Sequence, residues 1–417
     1  MGFCMGAVNF SKSVHFAFLA LTAALIYAVS NGIRVNLGLL IDPLSTNSGI
    51  SYASISFILA SGQFIYGLSQ PFFGFLAIRY SYKDVLLLGC AMLAIGLIGT
   101  AYSSSSLAMF IFLGVFFYAS TGALCFGLVL SCASPLMSER QAVIFSGILN
   151  TAAGVGSSIF SPTFTLLLDG FSVSTTLLIL TLPILILIPI SIYIGKLNNS
   201  LKKLDAVKSL PIKSVLRQAL GDKSYQIMLI SFAICGFHMG IIFTHLYSEF
   251  IHLGLSSTTA TLAYTILGLA IAIGAFLCGI ACIRYSSANV LGFLYVARAL
   301  IVLAYIFLLP KNDFSAILFA FGLGLTCDAT VAPTSILVNA RFGPEKLAVL
   351  FGLVYISHQA GCFISASLGG YFVKSFNSYE LIWVIDISLC LLASLLCLSL
   401  NRHPKEKITF TPKTINA

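Results

Sequence analysis

The chain has 417 residues, of which 59% are hydrophobic and only 8% are charged, with a formal net charge of +9. A soluble domain carries about 25% charged residues, so this composition excludes a soluble enzyme, a nucleic-acid-binding protein and a disordered chain. The apolar runs are as long as a membrane-spanning helix and do not alternate as barrel strands do, which predicts an all-α integral membrane protein.

Hydropathy over windows of about 19 residues predicts twelve transmembrane helices. They cover residues 15–41, 53–77, 84–102, 107–131, 142–167, 173–195, 225–250, 257–283, 289–309, 313–337, 347–372 and 379–400. Their connections are short except for one basic stretch in the middle of the chain. We therefore expect a six-helix bundle at 1–195, a cytoplasmic linker at 196–224, a second six-helix bundle at 225–401 and a cytoplasmic tail at 402–417.

The basic residues predict the orientation of these helices. Of the 22 Lys and Arg residues, 18 fall in the segments that are cytoplasmic if both termini lie inside. Two fall in outer loops, Lys311 and Lys374, and two fall within predicted helices, Arg34 and Arg298. Cytoplasmic segments are enriched in Lys and Arg. We therefore expect a multi-pass protein of the inner (plasma) membrane with both termini in the cytoplasm.

An internal repeat lies in the loops after the second and eighth helices. Residues 74–86 and 279–291 are identical at seven of thirteen positions, at an offset of 205 residues. Two parallel six-helix repeats with a substrate cavity between them near the middle of the membrane are the organisation of major facilitator transporters. The sequence therefore predicts two pseudo-symmetric six-helix bundles of that fold.

The first repeat segment also resembles the loop signature of the major facilitator superfamily, Gly-x-Leu-x-Asp-Arg-x-Gly-Arg-Arg/Lys. The residues that match are Gly74, Leu76, Arg79 and Lys83. The chain departs from the signature at Ile78, where the family has Asp, and at Ser81, where it has Gly. The resemblance implies transport by alternating access, but the gating role of the missing Asp is not carried over.

Four further segments resemble bacterial members of the monocarboxylate-porter and oxalate:formate-antiporter group. They are residues 31–44, 67–74, 333–337 and 351–361. This resemblance implies a secondary transporter that moves a small organic anion with a proton or by exchange. The alternative function is an exporter or importer of amphiphilic drugs, amino acids or siderophores, and the sequence fits it as well.

Other function classes lack support in the sequence. No phosphate-binding loop and no recognisable catalytic motif occurs, so ATP-driven transport and enzymatic activity are not expected. We expect no cofactor, no metal and no nucleic-acid partner. The expected partners are the lipid bilayer and a small, anionic substrate, and we expect a monomer.

Arg34 is the most informative polar residue of the first half, because it lies deep in helix 1 without an obvious counter-ion. A charged side chain inside a span is costly and usually functional. The planar guanidinium suits a carboxylate, and the resembling porters have a basic residue at this place. The alternative is that Arg34 extends to the outer surface of the membrane.

Two charged residues of the second half lie at comparable depth on neighbouring helices. Arg298 and Asp328 are therefore expected to form a buried ion pair between helices 9 and 10. In the alternative, Asp328 takes up a coupling proton and releases Arg298.

The remaining candidates are polar side chains within the spans. His238 and His358 suit substrate binding, and His358 also suits proton relay, unless they are bonded to neighbours and inert. His238 and His245 lie too far apart for a metal site. The other candidates for the cavity wall are Asn36, Gln63, Tyr66, Asn150, Tyr355 and Gln359.

Two residues near predicted helix ends are given structural roles. Trp383 is expected to anchor its helix at the membrane interface. Glu249 is expected near water at the outer end of helix 7.

Overall fold

The computed structural model describes residues 2–200 and 212–400, and every regular element in these ranges is a helix. The twelve long helices are α1 Gly2–Val35, α2 Tyr52–Arg79, α3 Tyr82–Ala101, α4 Ser106–Leu136, α5 Glu139–Gly170, α6 Val173–Asn198, α7 Lys223–His252, α8 Ser257–Arg284, α9 Ser287–Leu308, α10 Asp313–Phe342, α11 Pro344–Phe376 and α12 Glu380–Ser399. Short helices at Ile41–Ser48 and Ile212–Leu220 follow α1 and precede α7. Residues 201–211 of the predicted linker and the whole of the predicted tail lie outside the described residues.

Each of the twelve predicted spans corresponds to one long helix, which confirms the predicted architecture. Eleven of them are long and apolar enough to cross a membrane, and α2 is the exception. At 28 residues α2 has sufficient length, but its sequence includes four serines and two glutamines. We call the side on which α6 ends and α7 begins the linker side, and the opposite side the far side.

The 205-residue repeat extends from the loops to the helix starts. Ser51 begins α2 and Ser256 begins α8, and each Oγ accepts the backbone N–H three residues later, at 3.2 and 3.1 Å. Such caps satisfy amides that have no partner inside the helix. The starts of α3 and α9, and of α5 and α11, are also 205 residues apart. The two halves, α1–α6 and α7–α12, are therefore equivalent in register.

α4 and α10 are both interrupted at the same position of this repeat. α4 stops at Ala123 and resumes at Phe126, whereas α10 passes through a 3-10 turn at Asp328–Thr330. Ala123 and Asp328 are separated by the same 205 residues. A broken helix frees backbone carbonyl groups, and within a membrane these need partners from the protein.

The halves touch through closely packed glycines from the middle of the helices to the far side, where a Cβ atom on Gly370 of α11 would lie 2.7 Å from Cβ of Ser56 on α2. A Cβ atom on Gly154 of α5 would lie 2.5 Å from the Gly268 carbonyl oxygen of α8. A Cβ atom on Gly67 of α2 would lie 2.4 Å from Cγ of Gln359 on α11. These contacts let the helices of opposite halves approach at backbone distance, as small residues do in membrane proteins.

The same helices separate toward the linker side. Gly74, Gly147, Gly279 and Gly352 form two pairs at the 205-residue offset, and an added Cβ on any of them meets no described atom within 4 Å. Gly147 lies seven residues from Gly154, and Gly74 lies seven from Gly67, so each open position shares a helix face with a closed one. The space between the halves is therefore closed on the far side and open on the linker side.

Candidate functional site

A polar cavity lies between the halves, lined by α1, α2 and α5 from the first half and by α7, α8, α10 and α11 from the second. Six of the predicted site residues line it: Arg34, Gln63, Asp328, Tyr355, His358 and Gln359. The other lining residues include four that the sequence reasoning missed: Tyr27, Asn31, Met239 and Phe243. Aromatic and methionine side chains in apolar helices look like ordinary packing residues, so the sequence held no signal for Tyr27, Met239 and Phe243. Asn31 is a polar side chain within a predicted span, and that signal was overlooked.

Arg34 is 8% exposed and faces this cavity, so the alternative that it extends to the membrane surface is wrong. Its Nη1 donates to Oε1 of Gln63 at 2.9 Å, and its Nη2 donates to Oδ1 of Asn31 at 2.6 Å. The guanidinium lies 4.2 Å from the ring centroid of Tyr66. All three partners are neutral, and no ion pair with Arg34 exists among the described residues. The cation is therefore oriented without being neutralised.

Asn36 holds α1 in place behind the cavity and does not line it. Its Nδ2 donates to the Gly32 carbonyl at 2.8 Å and to the Ser157 carbonyl of α5 at 3.0 Å. A Cβ atom on Gly32 would lie 2.7 Å from the Gly156 carbonyl oxygen. α1 therefore packs directly against α5 just before its end, and this packing fixes the position of Arg34.

Asp328 faces the cavity from the interruption in α10. Its carboxylate has no hydrogen-bond partner among the described residues, and the charged and titratable groups that act on it most strongly are His358, Arg34 and Arg298, in that order. The cavity therefore brings together one carboxylate from the second half and one guanidinium from the first. Neither forms an ion pair within the described chain.

The predicted ion pair between Arg298 and Asp328 is wrong. Arg298 is fully buried outside the cavity and donates through Nη2 to the Thr326 and Cys327 carbonyls, the latter at 2.6 Å. These carbonyls are exposed by the interruption in α10, so the guanidinium stabilises the broken backbone that carries the aspartate. In the first half, the Ser30 hydroxyl donates to the Leu124 carbonyl at the break in α4, at 3.1 Å.

His358 lines the cavity with few strong bonds of its own. Its Nε2 lies 3.2 Å from Sδ of Met239, and its Nδ1 lies 3.6 Å from Sγ of Cys362. Its ring stacks on Tyr355, with 5.5 Å between centroids. Because sulfur is a weak hydrogen-bond partner, the imidazole keeps capacity for a ligand. Gln359 keeps such capacity too, since its buried Oε1 has no described partner.

His238, Tyr66 and Asn150 do not line the cavity. Nδ1 of His238 lies 2.7 Å from Oδ2 of Asp386, and both side chains are fully buried between α7 and α12. Tyr66 lies behind Arg34, and Asn150 is exposed on α5. The His238 pairing joins residues 148 positions apart, and no local pattern in the sequence indicates it.

Trp383 and Glu249 are also placed differently from expectation. Trp383 is fully buried, and its Nε1 donates to Oε2 of Glu249 at 2.7 Å. Glu249 is buried rather than close to water. The predicted interfacial anchor is therefore wrong: the indole N–H satisfies a buried carboxylate inside the second half.

Asp386 is at the centre of a second buried group. The Cys390 thiol lies 3.8 Å from Oδ1 of Asp386, and the ligand atoms of His238, Asp386 and Cys390 all lie within 4.8 Å of one another. The direct hydrogen bond between His238 and Asp386 accounts for this group as a polar tie between α7 and α12.

The model of the Major Facilitator Superfamily matches residues 19–251 and 228–415 of the chain. The chain belongs to this superfamily. Its fold is that of a membrane transporter, and the cavity between its halves occupies the place of a transporter's substrate site. No curated protein matches the sequence.

Solved structures support the same fold. The nucleoside transporter NupG matches at TM-score 0.73 and 16% identity, covering 93% of this chain and 99% of that one. A NupG mutant matches at TM-score 0.75 and 14% identity, covering 92% and 99%. A bacterial homologue of the human lysosomal transporter Spinster, in an inward-facing, unoccupied conformation, matches at TM-score 0.73 and 14% identity, covering 93% and 97%. At these sequence identities the structural similarity shows only that the fold is shared.

Proposed function

We propose that this transporter moves a small organic anion, with monocarboxylates as the leading class, by alternating access. The observation that carries the proposal is Arg34, a buried cation that faces the cavity and has only neutral partners. Burying a cation without a counter-ion is costly. A substrate carboxylate would supply the missing charge, and this makes the anion a natural occupant.

The bonds of Arg34 suit such a ligand. Gln63 and Asn31 hold the two terminal nitrogens, and the buried Nε–H has no described partner. A carboxylate can take this N–H and compete for a terminal nitrogen, giving the two parallel bonds that guanidinium forms with carboxylates. The Gln359 and His358 side chains are available for the second oxygen or for a neighbouring hydroxyl.

Asp328 and His358 are the proposed groups for proton coupling. Arg34 attracts an anion into the cavity, whereas an ionised Asp328 repels it. Protonation of Asp328 removes that repulsion, so proton and anion bind together more readily than either binds alone. Arg298 enters this scheme only through the backbone, because it holds the interruption that carries Asp328. Exchange of one anion for another needs no net proton movement and remains within the proposal.

A zwitterion such as an amino acid is the second candidate. Arg34 and Asp328 line one cavity with opposite charges and without an ion pair between them. A ligand with a carboxylate and an ammonium group could contact both, with Tyr27, Phe243 and Met239 around its apolar part. Among the alternatives of drugs, amino acids and siderophores, this observation favours amino acids.

We further propose that the linker side is the cytoplasmic side. The support is the bias of Lys and Arg toward that side, and it implies an inward-open conformation in the inner membrane. The division into bundles at 1–195 and 225–401, joined by a linker at 196–224, and the monomeric state belong to the same proposal.

Uptake into proteoliposomes tests the function. A panel of labelled monocarboxylates and amino acids is offered with and without an inward proton gradient, and with or without the same compound inside. We expect saturable uptake of a carboxylate that is lost in Arg34→Gln and retained in Arg284→Gln, an exposed arginine of α8. Dependence on the gradient means symport, and dependence on internal substrate means exchange. Equal uptake by wild type and Arg34→Gln would refute the proposed role of the cavity cation.

A further inference from the structure

The far-side closure contains a polar group that joins the two halves. The hydroxyl of Tyr52, at the start of α2, lies 2.9 Å from Nδ1 of His245 on α7. The same hydroxyl lies 2.9 Å from the hydroxyl of Tyr379, just before α12. We call Tyr52, His245 and Tyr379 the far-side lock. It is separate from the cavity and includes a titratable group that the proposed transport scheme does not use.

The hydrogen bonds of the lock determine which nitrogen of a neutral His245 ring carries the proton. Its Nε2 lies 2.8 Å from the Ala366 carbonyl of α11, which only accepts, so Nε2 carries a proton. In the neutral ring Nδ1 is then an acceptor, and the Tyr52 hydroxyl donates to it. The Tyr52 oxygen can in turn accept from Tyr379. The chain of donors runs from Tyr379 through Tyr52 and His245 to Ala366, and it is complete with a neutral imidazole.

A protonated His245 would lack a counter-ion in this closed arrangement. The side chain is fully buried, and no carboxylate lies within ion-pair distance of it among the described residues. Two carboxylates lie near the lock tyrosines and are bonded to other groups: Glu249 of α7 accepts from Trp383, and Asp42 accepts from Ser248 at 2.6 Å. The ring neighbours of His245 among the described residues are Tyr52, Tyr379 and the α11 backbone at Ala366 and Gly369, none of which carries a charge.

The ring also has little room to move away from the interface. A Cβ atom on Gly369 of α11 would lie 2.4 Å from Cδ2 of His245. The imidazole therefore packs directly on the α11 backbone and is confined on that side. Burial of an uncompensated charge in such a site is strongly unfavourable.

We propose that His245 is a proton-binding site that controls opening on the far side. The closed lock needs the neutral ring, whereas opening exposes the ring to far-side water, where an imidazole titrates near pH 6.5. A proton from that water adds to Nδ1, replaces the Tyr52 hydrogen bond and leaves a hydrated imidazolium. Because the proton binds the open state better than the closed one, acid on the far side shifts the population toward the open state.

This inference depends on alternating access but on no particular substrate, so its failure would leave the proposed anion site intact. If the linker side is cytoplasmic, the acidic external side of an energised membrane opens the transporter outward. The proton at His245 would then act before the substrate reaches the cavity.

Distance measurements between spin labels test the proposal without substrate. Labels are introduced through an unnatural amino acid at Asn47 and Lys374, which lie exposed on the far side in opposite halves, and the native cysteines remain in place. In lipid nanodiscs between pH 8 and pH 5, we expect the wild type to gain a longer-distance population as the pH falls through about 6.5. We expect His245→Gln to show no such change, since an amide can donate and accept but does not titrate.

Two further variants complete the test. His252→Gln removes an exposed histidine at the end of the same helix, whose ring packs edge-on against Tyr379 at 6.1 Å between centroids. Because His252 is exposed and its charge needs no partner in the closed state, we expect this variant to respond to pH as the wild type does. Tyr52→Phe removes the hydroxyl that holds Nδ1, and we expect longer distances already at pH 8 with a smaller change on acidification. An unchanged pH response in His245→Gln, no response in the wild type, or a closed Tyr52→Phe with the full wild-type response would each overturn the proposal.

Discussion

The closest approach between α5 and α8 gives a sharp test of how the two halves close. In Gly154→Ala the new Cβ would lie 2.5 Å from the Gly268 carbonyl oxygen and 3.1 Å from the Cβ of Ala272. The first atom belongs to a helix backbone and cannot move aside by changing rotamer. Overpacking of this kind costs about 1–3 kcal/mol. The cost falls only on the far-side-closed state, because the contact disappears when the halves separate there.

A cost of that size shifts the equilibrium between the two states by about 5–150-fold toward far-side opening. The assay is the distance between spin labels at Asn47 and Lys374 at pH 8, where the far-side lock is neutral. Gly147→Ala is the matched control: it lies on the same face of α5, and its added Cβ meets no described atom within 4 Å. We expect a longer-distance population in Gly154→Ala and none in Gly147→Ala. A short, unchanged distance in both variants would refute the closure described here.

Three further outcomes are expected. Burial raises the pKa of the Asp222 carboxyl, but hydrogen bonds from Arg341 and from the Tyr225 N–H lower it more, so the pKa lies below its ordinary value. The pair therefore stabilises the fold above about pH 4, and this stabilisation is lost as the pH falls through the lowered pKa. In that range the melting temperature should change less with pH in Asp222→Asn than in the wild type. Asp386→Leu leaves the buried imidazole of His238 without its hydrogen-bond partner and should cost about 1–3 kcal/mol in unfolding free energy, and an unchanged unfolding free energy would contradict the buried pair. In proteoliposomes, Asp328→Asn should abolish gradient-driven accumulation while retaining exchange, and full accumulation by this variant would remove Asp328 from the coupling scheme.

The sequence predicts the fold well because the controlling forces are local. Each span is a continuous apolar run, and the hydrocarbon core requires about 20 such residues. The repeat at Gly74 and Gly279 gave the relation between the halves, and the same offset recurs at Ser51 and Ser256. α2 does not qualify as a span by length and hydropathy together, yet hydropathy windows predicted it at 53–77 and the structure has a 28-residue helix there.

The site was predicted in part, and the reasons differ from residue to residue. Arg34 is an isolated charge in an apolar run, so composition alone indicated it. The sequence singled out Asp328, and the structure places it on the cavity wall, but its predicted partner Arg298 bonds to backbone carbonyls instead. That error arises because hydropathy treats α10 as a continuous helix, in which no carbonyl would be free to receive the guanidinium.

Contacts between residues far apart in the chain could not be predicted from the sequence. His238 pairs with a residue 148 positions away, and Tyr52 meets His245 across 193 positions and between the two halves. Helix periodicity reports which face of a helix is polar, but not which neighbour that face meets. A single histidine in an apolar run therefore gives the same signal whether it binds a ligand, pairs with a carboxylate or closes a gate.

Equilibrium binding tests most directly whether Arg34 binds the carboxylate of the substrate. The purified transporter in detergent is titrated with the carboxylate that gives the highest uptake, and the wild type is compared with Arg34→Gln and Arg284→Gln. Hydrogen bonds to a charged group contribute about 1.5–3 kcal/mol, so we expect Arg34→Gln to bind about 10–150-fold more weakly, and Arg284→Gln to bind as the wild type does. Equal affinity in all three proteins would contradict the account, because the cavity cation would then have no part in holding the substrate.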